Sequence, residues 1–180
     1  MWPKTCIALL CSLLAAGAAV ADTTVNAAKL RVLFTPGDNI AAVITQAIRG
    51  AKQTIRVHVF SFTNKAIARA LQETSRRGIE VTLLADREQF ERGGGFLLRD
   101  LKQAGVNVML DGEHASAHNK VMLIDAEGAN PIVITGSFNF TQAAQKYNAE
   151  NVVMIYDDPT LAKAYQDNWQ RHWQHGIKFE

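Results

Sequence analysis

Short apolar runs and amphipathic segments follow one another along most of the chain, and this pattern predicts alternating strands and helices. Runs typical of strands lie at residues 30–34, 54–60, 79–85, 106–110, 120–125, 132–134 and 151–156. Apolar residues spaced three or four apart predict helices at 40–48, 65–77, 96–104 and from Pro159 onward. No repeat or long linker divides the pattern. It therefore predicts one α/β domain with a mixed, largely parallel β-sheet and helices on both faces.

One segment, from Asp86 to Gly95, breaks the alternation. It contains Arg87, Arg92 and three consecutive glycines directly after a predicted strand. This composition predicts a mobile, positively charged loop, and loops at the carboxyl ends of strands often contact ligands. A solvated connector without a binding role explains each single arginine equally well.

The first residues follow a different pattern from the predicted domain. Lys4 precedes an uncharged stretch at residues 5–21, which ends in the small-x-small sequence Ala19-Val20-Ala21. The stretch is shorter than the roughly 20 apolar residues of a spanning helix. Residues 1–21 are therefore predicted to be a secretory signal peptide, and residues 22–180 a single catalytic domain. A periplasmic or secreted protein without stable membrane insertion after cleavage is expected.

Cysteine positions and net charge narrow the classes of function. Both cysteines, Cys6 and Cys11, lie in the predicted signal peptide, so the mature domain is expected to have no disulfide. The chain has 19 basic and 17 acidic residues, and Lys4 is lost with the signal. This near balance does not fit a globally basic nucleic-acid binder, so any attraction for phosphate must be local.

Two polar clusters interrupt the apolar strands near the middle of the chain. His118 and Lys120 lie two residues apart at the start of one strand, so alternation directs them to the same face. The sequence Gly136-Ser137-Phe138-Asn139 ends the next strand. An imidazole, an ammonium, a hydroxyl and a carboxamide at one place suit a phosphate ester, which needs a nucleophile, positive charge and hydrogen-bond donors.

These residues resemble the signature of the phospholipase D superfamily. The chain has His-x-Lys-x4-Asp beginning at His118 and Gly-Ser-x-Asn beginning at Gly136, with Ala149-Glu150-Asn151 opening the following strand. It is most similar to the small, single-motif bacterial endonucleases of the superfamily. The resemblance implies a phospholipase D-like fold and a phosphodiesterase.

The resemblance also implies roles for the motif residues. His118 would attack phosphorus to form a covalent phosphohistidine that water then hydrolyses, while Lys120 and Asn139 would bind the phosphate. Asp125, at the far end of its strand, is expected to make a structural ion pair or turn contact.

Ser137 and Glu150 are less sharply defined. Ser137 would bind substrate through its hydroxyl or through backbone N–H groups before a predicted helix at 141–144. Glu150 either orients a histidine, as carboxylates do in other histidine-based sites, or is a surface glutamate. Both interpretations of Glu150 remain open on the sequence.

No metal ligand set and no cofactor site is predicted. His114 lies four residues before His118, but the segment does not look helical, and no cysteine or carboxylate completes a recognisable set. His58 could face the core or the active site, and the role of His114 is undecided. No role is predicted for His172 or His175.

A single motif supplies one histidine, whereas the reaction needs a nucleophile and an acid for the departing oxygen. The resemblance therefore implies a twofold homodimer in which His118 of each subunit faces one phosphate. The expected activity is a metal-independent endonuclease acting on nucleic acid, with DNA the expected substrate. The alternatives are a phospholipase D or phosphatidyl transferase acting on phospholipid, and a non-catalytic DNA-binding dimer.

Overall fold

The computed structural model describes residues 29–179. The predicted signal peptide at 1–21 and the predicted start of the domain at Asp22 lie outside the described residues. Among the described residues, no helix is both long enough and apolar enough to cross a membrane.

Eight strands form a single sheet in the order β1-β7-β6-β5-β2-β3-β4-β8. The strands are β1 (Lys29–Thr35), β2 (Thr54–Val59), β3 (Glu80–Asp86), β4 (Asn107–Asp111), β5 (Lys120–Ile124), β6 (Ile132–Gly136), β7 (Glu150–Tyr156) and β8 (Ile177–Lys178). The short edge strand β8 had no counterpart in the sequence prediction, because two residues are too few to show a period.

The predicted mixed sheet is confirmed, but the prediction that it is largely parallel is wrong. Only β2 pairs with β3, and β3 with β4, in parallel. The other five pairings between the described strands are antiparallel. Parallel neighbours need a crossover connection, usually a helix. The connections from β5 to β6 and from β6 to β7 contain no helix longer than five residues, so these strands pair directly as antiparallel neighbours.

The described α-helices are α1 (Ile40–Gly50), α2 (Lys65–Arg76), α3 (Arg87–Gln89), α4 (Phe96–Gln103), α5 (Gln142–Lys146) and α6 (Pro159–Gln174), and a π-helical turn spans Phe90–Gly94. All the described α-helices except α4 begin where a side-chain cap satisfies one or more of their first N–H groups. The side chains of Asn39, Asn64 and Asp158 accept hydrogen bonds from the first turns of α1, α2 and α6.

The segment from Asp86 to Gly95 is helical rather than a loop, which corrects the prediction from its glycines. The Asp86 carboxylate accepts a hydrogen bond from the N–H of Gln89 at 2.8 Å and so starts α3. Glu88 and Arg92 form an ion pair four residues apart, which is the spacing of neighbours on a helix. The helical conformation breaks only at Gly93, whose φ is 122°.

Helices cover both faces of the sheet, as predicted. The larger core lies beneath α1, α2 and α4, where Ile44, Ile67 and Leu101 are fully buried. The smaller core lies beneath α6, where Ala162 and Trp169 are buried against β5 and β6. Ala164 of α6 faces away from this core and is exposed.

Asp125 ties the end of β5 to the connection between α1 and β2. Its carboxylate accepts hydrogen bonds from the backbone N–H groups of Lys52, Gln53 and Thr54 at 2.9, 2.7 and 3.0 Å. The residue has a φ of 51°, a left-handed conformation that aspartate and asparagine tolerate better than most residues. This motif aspartate thus makes a turn contact remote from the start of β5.

We expect Asp125→Asn to lower the free energy of unfolding by about 1–3 kcal/mol, because three amides would lose a charged acceptor. Urea unfolding at neutral pH measures the change. Asp157→Asn is the matched control, since Asp157 also has a left-handed φ of 60° but makes only an exposed ion pair with Lys29 at 3.5 Å. Equal losses in both variants would show that the amide contacts of Asp125 add nothing.

Candidate active site

Antiparallel pairing brings the polar clusters to one edge of the sheet. Lys120 begins β5, Gly136 ends β6 and Glu150 begins β7. Because β6 runs antiparallel to both neighbours, the start of β5, the end of β6 and the start of β7 lie side by side. The structure therefore brings the sequence-predicted site residues together, apart from Asp125, which lies at the opposite end of β5.

The ammonium of Lys120 contacts the catalytic candidate His118 directly. The Lys120 Nζ lies 3.2 Å from Nδ1 of His118 and donates to the His118 carbonyl oxygen at 2.9 Å. The side chain of Phe60 packs against both residues, with its ring centroid 4.4 Å from that of His118 and 5.1 Å from the Lys120 Nζ. His118 itself is exposed, so a substrate can reach its imidazole.

Lys120 is 8% exposed, and burial lowers the pKa of its ammonium from the usual value. The negative charge of Glu150 partly opposes this shift. Removing an ammonium from water costs free energy, which a bound phosphate would offset by supplying the missing negative charge. The lysine is thus held in a position that favours an anionic ligand.

Ser137 and Glu150 hydrogen-bond to each other. The Ser137 hydroxyl donates to the Glu150 carboxylate at 2.6 Å and accepts from the Asn151 backbone N–H at 3.0 Å. Asn148 donates to the other carboxylate oxygen at 2.9 Å. Within one chain, the Glu150 carboxylate therefore accepts hydrogen bonds from Ser137 and Asn148. Nδ1 of His118 faces the Lys120 ammonium and not a carboxylate.

Two of the backbone N–H groups in the segment before α5, where an anion was expected to bind, already have partners within the fold. The N–H groups of Ser137 and Phe138 donate to the Asn151 carbonyl oxygen at 3.1 and 3.3 Å. Helix α5 begins only at Gln142. Hydrogen bonding between the two chain segments therefore continues past the end of β6 at Gly136. It uses the N–H groups of Ser137 and Phe138 as donors.

Gly136 makes the close approach between β6 and β7 possible. Its φ is 152°, and a Cβ at this position would lie 2.3 Å from the Asn151 carbonyl oxygen. Any side chain would push the two backbones apart and displace Ser137. The glycine of the motif is therefore required by the backbone rather than by the chemistry.

One polar atom of the Asn139 side chain has no hydrogen-bond partner within the described residues. This atom, Oδ1, is buried. Buried polar atoms are nearly always paired, and unpaired ones are found at functional sites. The Asn139 Oδ1 is therefore an acceptor that a donor group of a ligand can use, whereas a phosphate oxygen would require the N–H groups of the same carboxamide.

The other four histidines lie together on the opposite face of the sheet. His58 follows Val57 of the larger core, so alternation directs it toward α6, where its ring centroid lies 4.9 Å from that of His172. Burial, followed by the nearby His172, lowers the pKa of His58 to about 4. His58 thus faces a core and not the active site.

The prediction that no carboxylate accompanies His114 is wrong. The Asp111 carboxylate lies 3.2 Å from Nδ1 of His114 and 3.3 Å from Nδ1 of His172. His175 completes the group. The sequence did not reveal this cluster because Asp111 and His172 are 61 residues apart and meet only when α6 packs on β4.

Comparison with known proteins identifies the family. Residues 44–173 match the family described as cardiolipin synthase, PLD-like domain. The chain belongs to the phospholipase D superfamily. The sequence resemblance is thus confirmed, and the chain is a phosphodiesterase of this superfamily.

Individual relatives carry different names. Phospholipase D of Rickettsia bellii is 38% identical over 141 residues, which are 78% of this chain and 67% of the relative. Mitochondrial cardiolipin hydrolase of Xenopus laevis is 34% identical over 125 residues, 69% of this chain and 57% of the relative. This chain thus spans about two thirds of the first relative and just over half of the second.

Solved structures agree on the fold. Nuc of Salmonella typhimurium, a phospholipase D family member, has a TM-score of 0.77 and 30% identity, covering 85% of this chain and 99% of Nuc. NucT of Helicobacter pylori has a TM-score of 0.73 and 22% identity, covering 84% of this chain and 99% of NucT. The similarity to NucT concerns the fold alone.

We expect Lys120→Met to be more stable than the wild-type protein at pH 7, with a Tm roughly 2–4 °C higher, because it removes a buried charge. The pKa of Lys120 is lowered in the folded state, so the cost of its charge is full below that pKa. The cost disappears as pH rises toward the unfolded-state pKa of about 10.4. The difference in Tm should therefore shrink at alkaline pH.

Thermal unfolding of both proteins from pH 7 to 10.5 measures this effect. Lys146→Met, at an exposed lysine of α5, is the control for a lysine-to-methionine change without burial. A lower Tm for Lys120→Met at pH 7 would show that the contacts of the ammonium with His118 outweigh its desolvation.

Proposed function

We propose that the protein is an exported, metal-independent nuclease that hydrolyses phosphodiester bonds of nucleic acid, with DNA the expected substrate. The observation that supports the proposal is a basic pocket next to α5, on the face of the sheet that α1 and α2 cover. The pocket is lined by Arg49, Lys65, Arg69 and Lys146, together with polar and small residues, and by no carboxylate. A nearly neutral chain thus has a local positive field, as an extended polyanion requires.

The basic pocket is connected to the candidate active site through α5. This helix follows the Ser137–Asn139 segment, and after it Asn148 donates to Glu150. Gln142 of α5 also accepts a hydrogen bond from Asn64, which lines the pocket beside Lys65. Phosphates flanking the scissile bond would bind along this surface. A phospholipid with a single phosphodiester has fewer negative charges to bind four cations in addition to Lys120.

The reaction would proceed in two steps at His118. In the first, a ring nitrogen attacks phosphorus, a P–N bond forms, and the P–O bond to the leaving group breaks as an acid protonates that oxygen. In the second, water attacks the phosphohistidine, the P–N bond breaks, and the same acid, now a base, accepts the water's proton. Lys120 and the Asn139 carboxamide would bind the non-bridging oxygens.

The acid would come from a second copy of the chain. The sequence contains five histidines, and the four other than His118 lie in the cluster beneath α6. A single chain therefore brings one imidazole to the site. A twofold dimer would supply His118 of the partner as the acid, and Glu150 would then orient a histidine across the interface.

Phospholipid hydrolysis is the second candidate, and one feature of the surface favours it. Tyr147 and Phe34 are large apolar residues that are 82% and 56% exposed. Tyr147 lies three residues before Glu150, and Phe34 pairs with Asn151 in register. This apolar rim could enter a lipid surface, and relatives named phospholipase D and cardiolipin hydrolase agree with it.

The substrate is tested in excess chelator with plasmid DNA, RNA, vesicles of phosphatidylcholine and cardiolipin, and the small diester bis(p-nitrophenyl) phosphate. We expect DNA cleavage and cleavage of the small diester. The double variant Lys65→Gln/Arg69→Gln should lose about tenfold in kcat/KM for DNA, with a weaker dependence on salt, because two phosphate contacts disappear. The same variant should cleave the small diester at the wild-type rate.

Lys163→Gln is the matched control, because Lys163 is an exposed lysine of α6 on the other face of the sheet. Vesicle hydrolysis without DNA cleavage would replace the nuclease proposal by the phospholipid alternative. Binding of DNA without cleavage of any diester would indicate the non-catalytic dimer. Activity that chelator abolishes and a divalent ion restores, in the wild-type protein and equally in His114→Asn, would contradict the metal-independent mechanism.

The shared site is tested with mixed dimers. A subunit carrying His118→Asn should inactivate its wild-type partner, because a mixed dimer has the nucleophile or the acid but not both. Random pairing of equal amounts yields about a quarter wild-type dimers, so activity should fall to about a quarter. Subunits with two different affinity tags allow the mixed dimer to be isolated and assayed. A mixed dimer with half the wild-type rate would show that each chain carries a complete site.

A further inference from the structure

The cluster beneath α6 has the composition and geometry of a metal-binding site. Asp111 ends β4, His114 lies in the loop that follows, and His172 and His175 lie one turn apart at the end of α6. One ligand atom from each of the four residues lies within 4.8 Å of all the others. From this convergence we propose that Asp111, His114, His172 and His175 bind one structural transition-metal ion of the Zn²⁺ class.

The distances are close to those of a tetrahedral ligand shell. With Zn–N and Zn–O bonds of roughly 2.0–2.1 Å, neighbouring ligand atoms of a tetrahedron lie about 3.3 Å apart. Nδ1 of His114, His172 and His175 lies 3.2, 3.3 and 3.8 Å from an oxygen of Asp111. These distances run to both oxygens of the carboxylate, and the four ligand atoms lie within 4.8 Å of one another, so the side chains would move inward to enclose an ion.

Hydrogen bonding to Asp111 explains only part of this arrangement. His114 and His172 both hydrogen-bond to the carboxylate through Nδ1. Nδ1 of His175 is buried and makes no hydrogen bond within the described residues, although it lies 3.3 Å from a carboxylate oxygen of Glu113 and 3.8 Å from one of Asp111. A metal ion would give this nitrogen a partner and would use the lone pairs of all three rings.

The three imidazoles are also packed against one another. The ring centroid of His114 lies 4.9 Å from that of His172 and 5.2 Å from that of His175, and those two lie 5.5 Å apart. Protonated rings at these separations would repel one another, whereas neutral rings are the form that binds a metal. The fully buried Asp111 side chain supplies one negative charge, and the exposed Glu113 carboxylate supplies a second at 3.3 Å from Nδ1 of His175.

A shell of four protein ligands fits a structural metal rather than a catalytic one, which keeps a position open for water. Borderline nitrogen ligands with one carboxylate select Zn²⁺ and its neighbours Co²⁺, Ni²⁺ and Cu²⁺ over Mg²⁺ or Ca²⁺. An open pocket lined by Asp111 and His114 gives the ion a path from solvent.

The position of the site suggests what the metal would do. The loop that contains His114 continues to His118, and the Asp86 carboxylate also holds it by accepting a hydrogen bond from the Ala117 N–H at 2.8 Å. A metal would join this loop to the end of α6. It would therefore stabilise the fold near the active site without touching the substrate.

The test uses purified protein without a polyhistidine tag, stripped of metal by a chelator that is then removed. Titration with Zn²⁺ should show one saturable equivalent, and Co²⁺ should give the visible absorption of tetrahedral coordination. At a Zn²⁺ concentration about a hundred times Kd, the Tm should rise by roughly 5–10 °C. Because these measurements do not involve activity, they are independent of the proposed nuclease function.

Variants assign the binding to the cluster. His175→Asn and His114→Asn should lose the stoichiometric binding and the rise in Tm, whereas His118→Asn, which removes a histidine outside the cluster, should keep both. Circular dichroism checks that each variant folds. The His114 side chain is 44% exposed, so His114→Asn remains decisive if His175→Asn unfolds.

Binding that persists in His114→Asn and His175→Asn, or that disappears in His118→Asn, would place the metal elsewhere and overturn the proposal. Absence of a saturable equivalent in the wild-type protein would also overturn it.

Discussion

The contact between the buried ammonium of Lys120 and His118 is the constraint on which the active site depends. The lysine begins a strand whose other residues are all buried, so its charge is placed at the margin of the larger core. Contacts of the ammonium with the Phe60 ring and with the His118 carbonyl oxygen partly offset the free-energy cost of this burial. The same burial makes the charge more effective toward a phosphate, since less water screens it. Stability and function are therefore opposed at this residue.

The sheet separates the histidines by function. His118 lies at the edge where β5, β6 and β7 place their polar ends. His58 lies between the sheet and α6, and His114, His172 and His175 lie together at the C-terminal end of α6. This separation leaves one imidazole at the candidate active site, which is the physical argument for a second subunit. It also gathers four ionisable rings away from the candidate active site.

Several details of the site depend on how tightly β6 approaches β7. Gly136 lets the Asn151 carbonyl come close enough to accept the N–H groups of Ser137 and Phe138. Those donors are then lost to an anion, and the Ser137 hydroxyl is used by Glu150 and Asn151. In the proposed mechanism, the binding of phosphate therefore falls to Lys120 and Asn139. Within the Gly-Ser-x-Asn motif, Gly136 and Ser137 thus make structural contacts, whereas Asn139 is the candidate for binding a ligand.

The sequence by itself determined seven of the eight described strands, most helices and the identity of the central site, because these depend on local periodicity and on residues close together in the chain. His118 and Lys120 share a face through simple alternation, and Asn39 and Asp158 cap helices through contacts three residues away. Only the tertiary structure decided strand direction, the partners of Glu150 and the cluster at Asp111. These depend on contacts between distant segments, such as the 61 residues from Asp111 to His172, and no local pattern encodes such a meeting.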